Sequence, residues 1–178
     1  MPAPNLSQEV TVAAHSETKV NSSAALPRER VRLWDFDHPN LYSMTTQLSV
    51  DGSLQHEQTD HFGIRKVEVT ADSLLLNGER IRVCGFNRVS DSNTTGPTEP
   101  AWLVKKDVDL MKEAGADFSR LMHFPQAPNL LNYLDEKGMM IFEEIPVWGA
   151  GDPNMKPGNP LTEHWLREMI DRDYNHPC

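Results

Sequence analysis

The sequence has 178 residues and a formal charge of −9, from 17 lysines and arginines against 26 aspartates and glutamates. That acidic balance argues against a nucleic-acid partner, because phosphate binding needs clustered positive charge and Lys105-Lys106 is the sole pair of adjacent lysines. With 38% apolar residues and a mean hydropathy of −0.54, the chain is polar without having a disordered composition. No apolar run approaches the roughly 20 residues that a membrane-spanning helix requires, so no membrane partner is expected.

The first seventy or so residues read as β-structure. Val10 and Val12 suggest a weak strand, and Asn21-Ser22-Ser23 a loop. Tyr42, Met44, Thr46, Leu48 and Val50 alternate with polar residues, which predicts a strand with one face on a core and one in water. Asp51-Gly52 tolerates the positive φ values of a tight hairpin, and Ser53 to Asp60 is the returning strand. These features predict part of an antiparallel sandwich.

After Arg65 the pattern changes. Val67 and Val69, Leu74 to Leu76, the turn Asn77-Gly78, and Ile81 to Phe86 predict two strands, a hairpin and a further strand. Leu103, Leu110 and Ala114, with Val104, Val108 and Met111, share one face of a helix that begins near Pro100 and stops at Gly115. A short strand over Phe118 to Phe124 follows. A second helix carries Leu130, Leu131 and Leu134 between Pro128 and Gly138. Met139 to Phe142 is a continuous apolar run, the mark of a strand buried on both faces of a parallel sheet. A Gly- and Pro-rich loop over Gly149 to Pro160 leads to a third helix with Trp165, Leu166, Met169 and Ile170 on one side, ended by Asn175 and Pro177.

Repeated βα units imply a parallel sheet, either doubly wound or closed into a barrel. The doubly wound dinucleotide fold expects a glycine-rich phosphate loop after its first strand, and Cys84-Gly85-Phe86-Asn87-Arg88-Val89 supplies no GxGxxG. A (β/α)₈ barrel is therefore preferred. Its strands run into Asn87-Arg88, into Arg120 and His123, and into Glu143-Glu144, on the face where barrel enzymes collect their catalytic groups. Arg120, between Phe118 and Leu121 in a strand expected to be buried, needs a carboxylate partner. The two cysteines, Cys84 and Cys178, form no CxxC or Cys/His cluster, so neither a disulfide framework nor zinc is expected, and Cys84 reads as a small buried strand residue.

Seven segments occur in order: Trp34-Asp35-Phe36-Asp37-His38-Pro39-Asn40-Leu41-Tyr42, Phe62-Gly63-Ile64-Arg65, Leu76-Asn77-Gly78-Glu79, Gly85-Phe86-Asn87-Arg88, Asp107 to Lys112, Arg120-Leu121-Met122-His123-Phe124-Pro125, and Arg172-Asp173-Tyr174-Asn175-His176-Pro177. Together they resemble glycoside hydrolase family 2, the family of β-galactosidases, β-glucuronidases and β-mannosidases.

The resemblance implies an α/β plus β architecture. Residues 1–66 form part of an immunoglobulin-like β-sandwich, and residues 67–178 form the first three βα units of a (β/α)₈ TIM barrel. It implies a retaining, exo-acting hydrolase of β-glycosides, with a carbohydrate substrate and no cofactor. A non-catalytic carbohydrate-binding or scaffolding protein on the same barrel is the alternative. In the family the acid/base glutamate follows shortly after Asn-His-Pro and the nucleophile lies on the seventh strand. Both are expected beyond Cys178, the chain is expected to be an internal fragment, and alone it is expected to be inactive.

Within the chain, Arg120 matches the arginine that orients the nucleophile. His123 matches the histidine of the family's Ser-His-Tyr-Pro motif, which contacts the sugar. Asn87, Asp91 and Glu144 are expected to bind substrate, and Trp148 either stacks on a sugar ring or belongs to the core. Three positions depart from the family pattern. Val89 stands where many relatives have histidine, Glu143-Glu144 stands for Asp-Glu, and Trp148-Gly149-Ala150 stands for the Glu-x-His of magnesium-binding relatives. No metal is carried over.

Overall fold

The computed structural model describes residues 4–149 and 153–178. By internal contact the chain divides into two units, Met1–Arg32 and Leu33–Cys178. In the first, the described residues form no strand, and their one helical element is a 3₁₀ turn over Arg28–Arg30. The strand expected at Val10 and Val12 does not form, and both side chains are exposed. Two β-branched residues without a ladder partner among the described residues have nowhere to place their backbone hydrogen bonds except water.

The second unit opens with an antiparallel hairpin of β1 (Leu41–Val50) and β2 (Ser53–Gly63). Its turn, Asp51-Gly52, has φ of 50° and 76°, the paired positive values that match the twist of the flanking strands. One face is polar, with Ser43 to His61 at 3.1 Å, Thr45 to Thr59 at 2.9 Å and Gln47 to Glu57 at 2.7 Å. The other presents Met44, Leu48 and Val50, and begins with Tyr42 stacked on Phe62 at 5.5 Å. The alternation is as the sequence predicts, but Met44, Leu48 and Val50 are exposed rather than seated on a core. Period two decides which side chains share a face; burying that face takes a second sheet, which the described residues do not supply.

A small antiparallel sheet follows, β3 (Val67–Val69), β4 (Leu74–Leu76) and β5 (Glu79–Ile81). Its Asn77-Gly78 turn is tied down by the Asn77 amide, which donates to the Trp34 carbonyl at 3.0 Å and accepts the Lys66 N–H at 3.0 Å. The sequence expects one strand from Ile81 to Phe86. The chain instead breaks after β5 and resumes as β6 (Gly85–Val89) in a different sheet. Cys84 lies in that break and is exposed, contrary to its reading as a buried strand residue, and its backbone is fixed by hydrogen bonds to and from Asp117.

The parallel sheet has the order β6, β7 (Phe118–Met122), β8 (Met140–Phe142), with α1 (Ala101–Glu113) and α2 (Pro128–Lys137) as its crossovers. The helix stops are those the sequence marks. Gly115 has φ 85°, and Gly138 closes α2 in the left-handed region at φ 62°. Gly138 is required for space as well, since a Cβ there would meet the Phe36 carbonyl oxygen at 2.5 Å.

The core gathers Val104 and Val108 from α1, Leu130, Leu131 and Leu134 from α2, Leu121 from β7, and Met139, with Trp34 and Leu76 closing one end. Leu110 and Ala114 of the predicted α1 face are exposed, so the buried stripe is narrower than expected. In β8 the apolar run is buried at its start only. Met140 is covered, whereas Phe142 is 66% exposed, packed edge-on against Phe118 at 4.9 Å. The last helix, α3 (Pro160–Asp173), is capped by the Asn159 side chain, which accepts the Leu161 N–H at 2.9 Å; it buries no residue fully, and Leu166 and Ile170 are exposed.

Buried Asp135 anchors the end of the chain. Its side chain accepts the Cys178 N–H at 2.9 Å and lies 2.5 Å from His176 Nδ1, while its carbonyl accepts the Trp34 indole N–H at 2.8 Å.

Candidate active site

Parallel strands end on one side of their sheet, so the residues that finish β7 and β8 arrive together. Arg120 sits in β7 between Ser119 and Leu121, both buried toward the helices; strand alternation therefore turns its side chain to the opposite face. His123 follows β7 directly, and Glu143 and Glu144 follow β8. With Trp148 they line an open depression of about 570 Å³, bounded on its far side by Leu166 and Met169 of α3.

Glu144 is the carboxylate that Arg120 requires. Arg120 Nε donates to Glu144 Oε1, and His123 Nδ1 lies 2.9 Å from Glu144 Oε2. Burial alone would push the Glu144 carboxyl up; the hydrogen bonds and charges of Arg120 and His123 outweigh it and hold the group below its ordinary value. Trp148 lies nearly parallel to the imidazole, with ring centroids 4.9 Å apart and 12° between planes.

Glu143 lives in the opposite environment. Its Oε1 accepts the Gln126 backbone N–H at 3.0 Å and lies 3.3 Å from Arg172 Nη2, which also contacts Asp173 Oδ2 at 2.6 Å. Burial pushes its carboxyl up to about 7; the Gln126 bond opposes the shift, and the charge of Asp173 adds to it. Adjacent glutamates are thus pulled apart, Glu144 held as an anion and Glu143 inclined to keep a proton.

The structure brings Arg120, His123, Glu144 and Trp148 together. Trp148 is not core: it is 66% exposed, with one ring face on His123. Asn87 stands beside Arg120 in register and is exposed, but it is not part of the lining of the depression. Asp91, on the loop after β6, is exposed and also lies off the lining. Ala150, the last residue of the Trp148-Gly149-Ala150 segment, lies outside the described residues.

Sequence reasoning missed the Glu143–Arg172–Asp173 clasp, and buried Arg88 paired with Glu99 and, at 3.1 Å, with Asp107. The Arg-Asp pair just before Asn-His-Pro was the available signal for the first. Among the described residues, Asp135, His176 and Cys178 bring potential metal-ligand atoms within 4.8 Å of one another. The Asp135 carboxylate is already engaged by His176 Nδ1 and the Cys178 backbone N–H, the Cys178 thiol donates to the Leu131 carbonyl at 3.8 Å, and burial pushes that thiol well up, away from the thiolate a metal takes.

Residues 67–178 match the model of the TIM barrel domain of glycosyl hydrolases family 2, and residues 4–65 match a second model of the same family. The chain is 38% identical over 148 residues to a β-galactosidase of Thermoanaerobacter pseudethanolicus, covering 82% of this chain and 20% of that protein. It is 32% identical over 174 residues to a putative β-glucuronidase of Formosa agariphila, covering 96% of this chain and 21% of that one.

Among solved structures, Bacteroides uniformis β-glucuronidase 3 superposes with a TM-score of 0.74 at 31% identity, over 82% of this chain and 19% of that chain. A β-galacturonidase from Eisenbergiella tayi bound to galacturonate gives 0.73 at 30% identity, over 87% and 28% respectively. The chain spans about a fifth of the length of the curated relatives it matches first.

Proposed function

The chain belongs to glycoside hydrolase family 2, and from that premise we propose that it forms part of a retaining, exo-acting enzyme that hydrolyses β-glycosides. Residues 1–66 then contribute part of the immunoglobulin-like sandwich, and residues 67–178 the first three βα units of the catalytic barrel.

The observation that supports this reading is the group at the ends of β7 and β8, where a guanidinium and an imidazole converge on one carboxylate beside an exposed indole. A sugar ring presents hydroxyls at its rim and C–H bonds on its face. Such a depression offers polar groups for the first and an aromatic wall for the second.

Retention of configuration takes two carboxyl groups about 5–5.5 Å apart, one as nucleophile and one as acid/base. Glu144 is committed to Arg120 and His123, and Glu143 to Gln126 and Arg172, so neither is assigned those roles. Family membership, rather than this geometry, implies that the catalytic pair comes from parts of the enzyme outside residues 1–178. This chain supplies the groups that meet that pair and the sugar. Arg120 keeps the nucleophile ionised and aimed, His123 contacts a sugar hydroxyl, Trp148 faces the ring, and Asn87 and Asp91 bind hydroxyls further out.

A panel of aryl β-glycosides tests the reading on the intact protein that contains these residues. At least one is expected to be hydrolysed, and residues 1–178 alone are expected to hydrolyse none. Sugar binding without turnover in the intact protein would favour a lectin-like role instead. Because Trp148 and its neighbours replace a Glu-x-His group, turnover is also expected to survive exhaustive chelation. Loss in EDTA restored by magnesium would contradict that.

A further inference from the structure

We propose that Glu144 is a positioning residue and not a sugar ligand: its one carboxylate aims both Arg120 and His123 at the depression, and Trp148 holds the imidazole in plane. This rests on the depression being the sugar site of a glycosidase. Each carboxylate oxygen is already engaged, Oε1 by Arg120 Nε and Oε2 by His123 Nδ1 at 2.9 Å.

The consequences follow from the shapes of the two partners. A guanidinium is planar, so fixing its Nε–H direction also fixes the directions of its four Nη hydrogens. Arg120 uses Nε alone among the described residues, which leaves the Nη edge free for a second carboxylate. A carboxylate at Nδ1 requires the proton there; in the neutral imidazole Nε2 is then an acceptor, suited to a sugar hydroxyl. Nε2 has no hydrogen-bond partner among the described residues, and the stacked indole opposes rotation of the ring out of that orientation.

The test is Glu144→Gln in the intact protein. A carboxamide oxygen serves one donor, and its NH₂ group opposes the other, so either Arg120 or His123 loses its aim. A displacement of about 1 Å in such a group costs on the order of 10²-fold in rate, so kcat is expected to fall by about that factor with KM changed by less than about threefold.

A sugar ligand would behave in the reverse way, with KM rising and kcat nearly kept, and that result would overturn the proposal. A second readout needs no turnover. In ¹⁵N-histidine spectra at mildly alkaline pH, His123 is expected as a single Nδ1-protonated tautomer in the wild type and as a mixture in Glu144→Gln. Trp148→Ala, at an exposed position that folding tolerates, is expected to loosen the same signal, while Trp148→Phe preserves it. A tautomer unchanged by both Glu144→Gln and Trp148→Ala would overturn the proposal. Absence of any β-glycosidase turnover alongside a fixed tautomer would overturn the functional reading and leave the positioning intact.

Discussion

Replacing Arg120 by lysine is expected to lower kcat by on the order of 10²–10³-fold with the fold retained. The side chain is 40% exposed, so the exchange leaves no buried charge uncompensated. What it removes is direction. The guanidinium donates to Glu144 through Nε and keeps a rigid edge for the nucleophile we propose it orients, whereas one ammonium on a flexible stem serves either carboxylate but cannot align both. Steady-state kinetics of the intact protein on its best aryl glycoside checks this. Turnover within about threefold of wild type would remove Arg120 from the nucleophile's surroundings.

The largest effect on stability is expected at Gly85. It opens β6 opposite Phe118 of β7, and a Cβ at that position would lie 1.6 Å from the Phe118 carbonyl oxygen. That neighbour is backbone, so no side-chain rotation relieves the overlap. The strands must separate, and the parallel ladder that carries Arg120 two residues further on opens with them. Gly85→Ala is expected to destabilise the barrel by about 3 kcal/mol or more, at or beyond the upper end of ordinary overpacking. Chemical denaturation of the intact protein reads it directly, and an unchanged midpoint would mean that β6 and β7 do not approach as closely as described.

Much of the fold was legible because its signals are local. Asp51-Gly52 and Asn77-Gly78 mark turns whose φ values are positive at both residues, and Gly115 and Gly138 end helices in conformations that side chains resist. Exposure was not local. The Leu48 face of β1, Leu110 on α1 and Phe142 on β8 all have the right period, yet periodicity says nothing of what lies opposite. The break at Cys84 was hidden for a similar reason, because the chain changes sheets there without changing composition.

In the site, Arg120 announced itself as a charge among buried neighbours, but its partner stands 24 positions away, and no spacing rule separates Glu144 from Glu143. Their different roles come from side-chain direction at the end of β8, one meeting Arg120 and the other Arg172. Asn87 rests on its place at the end of its strand and Asp91 on likeness to relatives, and both lie outside the lining of the depression.

We propose that these residues build one side of a retaining β-glycosidase site, and the stereochemistry of the first product tests that most directly. Proton NMR of the intact protein hydrolysing its best aryl β-glycoside is expected to show the β-anomer of the free sugar first, with the α-anomer appearing only as mutarotation proceeds. Initial release of the α-anomer, or no hydrolysis of any β-glycoside by the intact protein, would contradict it.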